Sequence, residues 1–291
     1  MSGLRVVIVN YEAGDMLREA VRSVEPLADA GHEVIVVDNA SNDGSADAIE
    51  SECQWATLLR MEENLGFGTA CNRGAEGAAE VLLFLNPDAT LTPGSGEKLL
   101  AAFDADPRLG MAAPRLFSPD GRRQFSWEPT PGLVGEAARK LRNPFEGQSW
   151  AHDGIRSIAR LLGDEGFLSG AGLAVRREAF EEVGGFDEGF FLYFEDADLC
   201  LRLRQAGWGL SLVGEARAVH DKGRGGARGD AVEVAYREAQ FRFYRKHRSA
   251  RASRILIRGQ RRRFEALADA QLRARLVGVC DEAERALVTD R

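Results

Sequence analysis

The first third of the chain alternates short apolar runs, rich in β-branched residues, with segments of helical periodicity. The apolar runs predict buried strands at 4–9, 33–38, 56–59 and 81–85. The intervening segments predict helices at about 16–24 and 69–79, and another helix follows at about 96–103. This order is typical of an α/β, Rossmann-like fold, in which a mixed, mainly parallel sheet is flanked by helices.

Polar residues follow three of these predicted strands. Asn10 and Tyr11 follow the first strand, Asp38 follows the second, and Asn86 and Asp88 follow the fourth. Turn formation alone would explain one such position, but three in series favour a ligand site, because ligands bind at the carboxyl ends of parallel strands. Acidic and amide groups suit a ribose or a base, and they also suit a divalent cation that offsets diphosphate charge.

Two further elements bear on this ligand site. His220 comes after a strand predicted at 209–213 and is a candidate second ligand beside Asp88, although a single histidine is more often structural. The glycine-rich segment 64–74 is not a dinucleotide fingerprint, because Cys71 stands where the third glycine should be. The GxSxG, HExxH and Walker A patterns are also absent, which disfavours serine hydrolases, zincins and P-loop enzymes.

Three carboxylates open a predicted helix directly after the aromatic run 190–194. Asp198 has Arg202 four residues later, which is an ordinary helical ion pair. Glu195 and Asp196 have no equally clear partner, although a helix N-terminus by itself stabilises acidic residues. The aromatic run predicts one wall of a pocket, which makes these two residues candidates for acid–base chemistry.

Charge and cysteine content limit the functional class. The net charge of −7 gives no global basic field for nucleic acid. The four cysteines lack metal-ligand spacing, and no apolar run approaches the roughly 20 residues that span a bilayer. We therefore expect a cytoplasmic protein whose membrane contact, if present, is peripheral.

The segment 237–263 is locally basic, with eleven Arg or Lys residues and a single acid, Glu238. Two interpretations stay open: a solvated helical face, or attraction to anionic lipid headgroups at the inner face of the plasma membrane. No aromatic stacking motif accompanies the charge, which disfavours nucleic acid. The segment lies within a region after Asp230 that is predicted to be helical almost to the end of the chain. Elsewhere, between about 118 and 165, prolines and glycines interrupt the alternation of strands and helices.

Several motifs in order along about residues 4–247 resemble the inverting family 2 glycosyltransferases of GT-A fold. The nearest likeness is to the branch of rhamnosyltransferases and related enzymes that assemble bacterial cell-surface polysaccharides. The motifs are VVIVNY, VVDNASNDGS, NLGFGTACNRG, LFLNPDA, FLSGAGLAVRREAFEEVGGFDEGFFLYFEDADLCLRLRQAGW and the later His220.

The resemblance implies a role for each matching residue. Asp196 corresponds to the catalytic base, and Glu195 would help to place the acceptor. The metal, Mg²⁺ or Mn²⁺, would be held by Asp88 and His220, with Asn86 replacing the first carboxylate of the DxD motif. Nucleotide contacts are implied for Asn10, Tyr11, Asp38, Asn64 and Asn72. The acceptor subsite is implied for Ser169 and Gly170.

The implied reaction moves a sugar, with rhamnose from dTDP-rhamnose as the best match, from a dTDP- or UDP-linked donor. The implied acceptor is a hydroxyl of a glycan or of a polyprenyl-diphosphate-linked glycan. The implied catalytic domain covers 1–229, with a nucleotide-binding half of about 1–117 and an acceptor half of about 118–229, and a C-terminal helical extension covers 230–291. The alternatives are a nucleotidyltransferase that makes sugar nucleotides, and a catalytically silent binding module of the same fold.

Overall fold

The computed structural model describes residues 3–132, 149–161, 164–222 and 229–289. The strands are β1 Leu4–Asn10, β2 Glu33–Asp38, β3 Thr57–Arg60, β4 Val81–Leu85, β5 Ala89–Leu91, β6 Leu109–Phe117, β7 Trp127–Glu128, β8 Phe167–Leu168, β9 Gly172–Arg176 and β10 Gly209–His220. The helices are α1 Asp15–Ser23, α2 Glu25–Asp29, α3 Ser45–Glu52, α4 Phe67–Ala75, α5 Ser95–Ala105, α6 Ser149–Leu161, α7 Arg177–Glu182, α8 Glu195–Gln205, α9 Asp230–His247, α10 Ala250–Glu265 and α11 Ala270–Thr289.

Eight strands form one mixed, mainly parallel sheet in the order β3-β2-β1-β4-β9-β6-β10-β5, which confirms the predicted fold class. The strands β3, β2, β1 and β4 are parallel neighbours, as are β6 and β10. The exceptions are β9, which runs antiparallel to both β4 and β6, and β5, which runs antiparallel to β10.

The reversed direction of β9 positions part of the site. Its first residue, Gly172, pairs with Leu85 at the end of β4. The segment that leads into β9 therefore lies at the same sheet edge as the residues that follow β4, and the amide of Asn86 donates to the carbonyl of Ala171 at 3.2 Å. One antiparallel strand thus brings residues far apart in sequence to a single edge.

Strand β10 is longer than the sequence predicted. It continues to His220 because its pairing with β6 resumes after a register shift between Val213 and Arg217. Such a bulge tolerates polar residues that break the apolar pattern, which is why the pattern ends early. The strand carries His220 to a position opposite Ala89 of β5.

Apolar side chains cover both faces of the sheet. Alternate residues of β1 point to opposite sides, so that Val6 and Ile8 enter one core while Val7 and Val9 enter the other. A third cluster joins Phe190 and Phe194 to apolar residues of α9, α10 and α11. The C-terminal helices thus pack against the segment that precedes α8. The domain boundary predicted at 229/230 stays a prediction, and residues 223–228 beside it lie outside the described ranges.

Part of the interrupted segment 118–165 forms regular structure, namely β7 and α6. Its residues 133–148 and 162–163 lie outside the described ranges. Among the helices that the structure describes, none is both long and apolar enough to span a bilayer.

Candidate active site

A cleft of about 240 Å³ opens at the carboxyl edge of the sheet. It brings together residues that the sequence assigned to different roles: Asp196 and Glu195, His220, and the acceptor-subsite residues Ser169 and Gly170. The other residues that line the cleft are mostly apolar or aromatic: Phe67, Asn86, Glu128, Pro129, Pro131, Phe167, Ala171, Leu192, Tyr193, Phe194 and Tyr236.

Asp88 and His220 lie next to each other, with Oδ1 of Asp88 3.4 Å from Nε2 of His220. The buried Gln124 fixes the imidazole from the other side, because its Nε2 donates to the carbonyl of His220 at 2.8 Å. Its Oε1 therefore accepts from Nδ1 of His220 at 3.1 Å. In this tautomer Nε2 carries no hydrogen, and a metal ligand needs such an unprotonated nitrogen.

Asp196 sits in the first turn of α8 and is partly buried at the cleft wall. Its Oδ2 accepts from the amide of Gly170 at 2.9 Å, and its Oδ1 accepts from the amide of Ala197 at 2.7 Å. A β-carbon added to Gly170 would lie 3.2 Å from Oδ2, so the glycine allows the close approach. The carboxylate is held in place without a cation among these contacts.

Glu195 is only 7% exposed, and its Oε2 has no hydrogen-bond partner among the residues that the structure describes. Burial raises the pKa of Glu195 to about 8, and the negative charge of Asp196 raises it further. Burial also raises the pKa of Asp196 to about 6, against the opposing effect of its two backbone hydrogen bonds. Near neutral pH the pair therefore shares one proton, which resides mainly on Glu195.

The shared proton predicts a pH-dependent stability difference for Glu195→Gln. The folded state keeps the proton of Glu195 at pH values where the unfolded chain has lost it, so this group's contribution to stability falls as pH rises from about 4 towards 8. Glutamine does not titrate. The variant should therefore gain about 3 kcal/mol relative to wild type between pH 5 and pH 8.

Urea unfolding at the two pH values measures this change. Glu97→Gln is the control, because Glu97 occupies the first turn of α5 and is exposed. A pH-independent difference between wild type and Glu195→Gln would contradict the elevated pKa.

The chain bends sharply where it enters α8. Tyr193 and Phe194 both adopt positive φ values, 71° and 67°. Among described non-glycine residues only Glu12 and Ala40 share this property, and they follow β1 and β2 at the same sheet edge. Strained backbone of this kind clusters at functional sites, where the surrounding structure holds it.

Asp198 is fully buried and interacts with two cationic side chains and an imidazole. Arg202 lies at 2.7 Å as the sequence predicted, but His247 at 2.6 Å and Lys246 at 2.7 Å come from the end of α9. Burial opposes the charge of Asp198, but hydrogen bonds from these partners outweigh it and lower its pKa. The residue therefore links the start of α8 to the C-terminal helices.

The aromatic run 190–194 forms the cleft wall only in part. Tyr193 and Phe194 line the cleft, whereas Phe190 is buried beneath the cationic groups of Arg242 and Lys246, 5.2 and 5.9 Å from its ring centre. Phe190 thus fastens the C-terminal helices to this segment instead of contacting a ligand.

Asn10 and Asp38 meet at the ends of β1 and β2. Both are buried, and Nδ2 of Asn10 donates to Oδ1 of Asp38 at 2.8 Å and to the hydroxyls of Ser41 and Ser45. The Oδ1 of Asn10 has no partner among the described residues. Tyr11, beside this pair, is 47% exposed.

Asn64 joins this edge through Asn39, whose Nδ2 donates to Oδ1 of Asn64 at 2.8 Å. Asn72 lies elsewhere, because its amide group contacts the backbone of Phe186 twice and the carboxylate of Glu188 once. These contacts fasten α4 to the segment before α8. The nucleotide contact assigned to Asn72 receives no support from this geometry and stays a prediction.

Sequence reasoning missed several residues of the site. No local motif marks Gln124, Glu128, Pro131 or Tyr236. The first three lie in the interrupted segment 118–165, where the broken periodicity was the only signal, and Tyr236 lies in the region predicted to be helical.

Residues 5–184 match the family model described as "Glycosyl transferase family 2". The chain belongs to this family. It is 34% identical over 247 residues to "N-acetylglucosaminyl-diphospho-decaprenol L-rhamnosyltransferase" of Mycobacterium tuberculosis, and the match covers 80% of each chain. This family 2 member is therefore a glycosyltransferase of the rhamnosyltransferase-like kind.

Solved structures support the fold assignment. One is GalNAc-T7 with UDP, GalNAc and Mn²⁺, which has a TM-score of 0.59 and 18% identity over 84% of this chain and 48% of that chain. Another is the mannosyltransferase PcManGT from Pyrobaculum calidifontis with GDP-Man and Mn²⁺, with a TM-score of 0.57 and 17% identity over 99% and 75%. At these identities the similarity shows the GT-A fold alone.

Proposed function

We propose that the enzyme transfers a sugar, with rhamnose from dTDP-rhamnose as the first candidate, to a hydroxyl of a polyprenyl-diphosphate-linked glycan, with inversion. The observation that carries the proposal is the placement of Asp196. Its carboxylate is held by two backbone amides at the wall of the cleft that His220 and Asn86 also line. The named activity of the M. tuberculosis relative supports the donor and the acceptor class.

Asp196 is proposed as the general base. A sugar hydroxyl is a poor nucleophile, and a carboxylate beside it takes the proton as the new bond to the anomeric carbon forms. The raised pKa of Asp196 makes this carboxylate more basic than an exposed one, while leaving it mostly ionised at neutral pH. A single base and a single displacement produce inversion.

Glu195 is proposed to act on the acceptor side of the cleft. Because its pKa lies above that of Asp196, it is the member of the pair that carries the proton, and a protonated carboxyl can donate a hydrogen bond to an acceptor oxygen. Ser169 and Gly170 are proposed to shape the same subsite.

The Asp88 and His220 pair fits a divalent cation. A carboxylate oxygen beside an unprotonated imidazole nitrogen suits Mn²⁺, and Mg²⁺ takes similarly few protein ligands when phosphates supply the rest. Such a cation would offset the charge that develops on the departing nucleoside diphosphate. We propose these two residues as its protein ligands, with Gln124 orienting His220.

The nucleoside is proposed to bind where β1, β2 and the 64–66 segment meet. Asp38 and the unpartnered Oδ1 of Asn10 supply acceptors for base or ribose groups, and the exposed ring of Tyr11 lies beside them. Asn64 would complete this side. We propose that about 1–117 binds the nucleoside of the donor and about 118–229 binds the acceptor, with 230–291 as the helical extension.

A donor screen tests the proposed function. Thermal unfolding of the wild type with dTDP-rhamnose and Mn²⁺ should show a higher midpoint than with either alone, because binding to the folded state raises apparent stability. Transfer is then assayed with a lipid-linked N-acetylglucosaminyl diphosphate acceptor. Asp88→Asn should raise the Mn²⁺ concentration needed for this shift by about 10-fold or more, since it removes one of the proposed ligands.

Asp43→Asn is the control for the screen, since it removes an acid from the same sheet edge. No transfer with any nucleotide sugar would overturn the proposed function, and a Mn²⁺-dependent shift unchanged in Asp88→Asn would overturn the metal assignment alone.

A further inference from the structure

Nine of the eleven basic side chains of the segment 237–263 fall into two groups. One group is bound within the protein, so its charge is not available to a partner. The contacts are Arg237 with Glu233, Arg242 and Lys246 with Asp187, Arg248 with the carbonyl of Pro131, and Arg261 with Asp281 and Glu284. Their role is to hold the C-terminal helices together and against the segment before α8.

The other group lies on α10. Arg251, Arg254, Arg258 and Arg262 are spaced by three, four and four residues, which places them along one side of a helix. No ion pair or hydrogen bond of their side chains occurs within the part of the chain that the structure describes. Ile255 lies within this stripe and is 49% exposed. We call these five residues the α10 face.

The opposite side of α10 anchors the helix. Leu256, Ile257 and Phe264 are buried in the cluster that joins the three C-terminal helices. The acid of α10 is Glu265 at its C-terminal end, so none interrupts the stripe. Because the whole chain carries a net charge of −7, four adjacent unpaired arginines are a local exception that calls for an anionic partner.

The α10 face starts close to the cleft. Arg248, at the junction of α9 and α10, donates from Nε to the carbonyl of Pro131 at 2.9 Å, and Pro131 lines the cleft. Arg251 follows three residues later, in the first turn of α10. Tyr236 of α9 also lines the cleft, so the C-terminal helices form part of its rim on the Pro131 side.

We propose that the α10 face docks on an anionic lipid bilayer and places the cleft beside the membrane surface. A basic stripe with one exposed apolar side chain matches the headgroup and acyl boundary of such a bilayer. The exposed stripe has no aromatic side chain for stacking on bases, which disfavours RNA. The biological purpose rests on the proposed function, since a lipid-linked acceptor would reach the cleft from this surface.

Vesicle flotation of the full chain tests the surface. Wild type should float with vesicles of phosphatidylcholine and phosphatidylglycerol, should not float with phosphatidylcholine alone, and should be released by high salt. A variant with Arg251, Arg254, Arg258 and Arg262 changed to Gln should bind at least 10-fold more weakly, since each arginine near the surface contributes about fivefold. Ile255→Glu, which keeps all four arginines, should also weaken binding.

The matched control removes the same number of positive charges from outside the C-terminal helices. Its four substitutions to Gln are at Arg22, Arg60, Arg73 and Arg108, which are all exposed. The control should bind vesicles within about twofold of wild type, because screening weakens the effect of charges outside the α10 face. Two results would overturn the proposal. One is equal vesicle binding by wild type and the α10 variant, and the other is tighter binding of wild type to duplex RNA than to the vesicles.

A soluble acceptor separates this proposal from the proposed function. With a short-chain, water-soluble acceptor and no vesicles, the α10 variant should retain wild-type turnover, which also shows that it is folded. Loss of vesicle binding with turnover intact supports the α10 face. Absence of turnover in wild type, with vesicle binding still dependent on the four arginines, would overturn the proposed function and leave the docking surface supported.

Discussion

Asp196→Asn should reduce sugar transfer by about 10³-fold while changing the dissociation constant of the donor by less than about threefold, because removal of a general base typically costs 10²–10⁴ in rate. The amide is nearly the same size as the carboxylate and keeps an oxygen that can accept from Gly170. It cannot take the acceptor's proton. Transfer rates at saturating donor, together with calorimetric donor binding, measure the two effects separately.

Glu195→Gln is the matched control for this loss, since it makes the same chemical change at the adjacent position. Because Glu195 carries the shared proton near neutral pH, an amide resembles its resting state, and turnover should fall by less than about 10-fold. The wild-type rate should rise with pH through about 6 as Asp196 ionises, and the residual rate of Asp196→Asn should lose this dependence. Turnover of Asp196→Asn equal to that of wild type would rule out the assigned base.

Asp198→Asn should destabilise the fold by about 3 kcal/mol, which corresponds to a fall of roughly 6 °C in the melting temperature. The substitution removes the buried charge that Arg202, Lys246 and His247 contact. Arg202 then lacks its carboxylate partner within a partly buried site, whereas Lys246 keeps Asp187. Chemical denaturation at neutral pH measures the loss.

Asp15→Asn is the control for this prediction. Asp15 is also an acid in the first turn of a helix, with Arg18 three residues later at 3.1 Å, but its side chain is 86% exposed. Exposed pairs contribute little, so this variant should lose less than about 0.5 kcal/mol. Similar losses in the two variants would show that the first-turn position, and not the link to α9, accounts for the stability at Asp198.

The link at Asp198 connects the C-terminal helices to the proposed chemistry. Asp196 and Asp198 share the first turn of α8, and Asp198 is held by the end of α9. Asp187, in the segment before α8, is held by Arg242 and Lys246 of the same helix, and these contacts lower its pKa against the effect of burial. The position of the proposed base therefore depends on residues beyond the predicted catalytic domain.

The sequence by itself determined the strands β1 to β4 and the polar residues that follow β1, β2 and β4, whereas β5 was not predicted. Both follow from local patterns, since buried parallel strands are continuous apolar runs and the sheet aligns their ends. The order of the motifs was also sufficient to indicate the family, which the family model and the M. tuberculosis relative confirm. The roles of the individual site residues stay predictions.

Only the tertiary structure decided which side chains meet. Gln124 reaches His220 across 96 positions, His247 reaches Asp198 across 49, and Asn72 reaches Phe186 across 114. Tertiary contacts likewise distinguish the basic side chains of 237–263 that are paired within the protein from those that form the exposed α10 face. Such contacts depend on the antiparallel insertion of β9 and on how the C-terminal helices pack. Local periodicity contains no information about either, because it reports only whether a residue faces the core or the solvent.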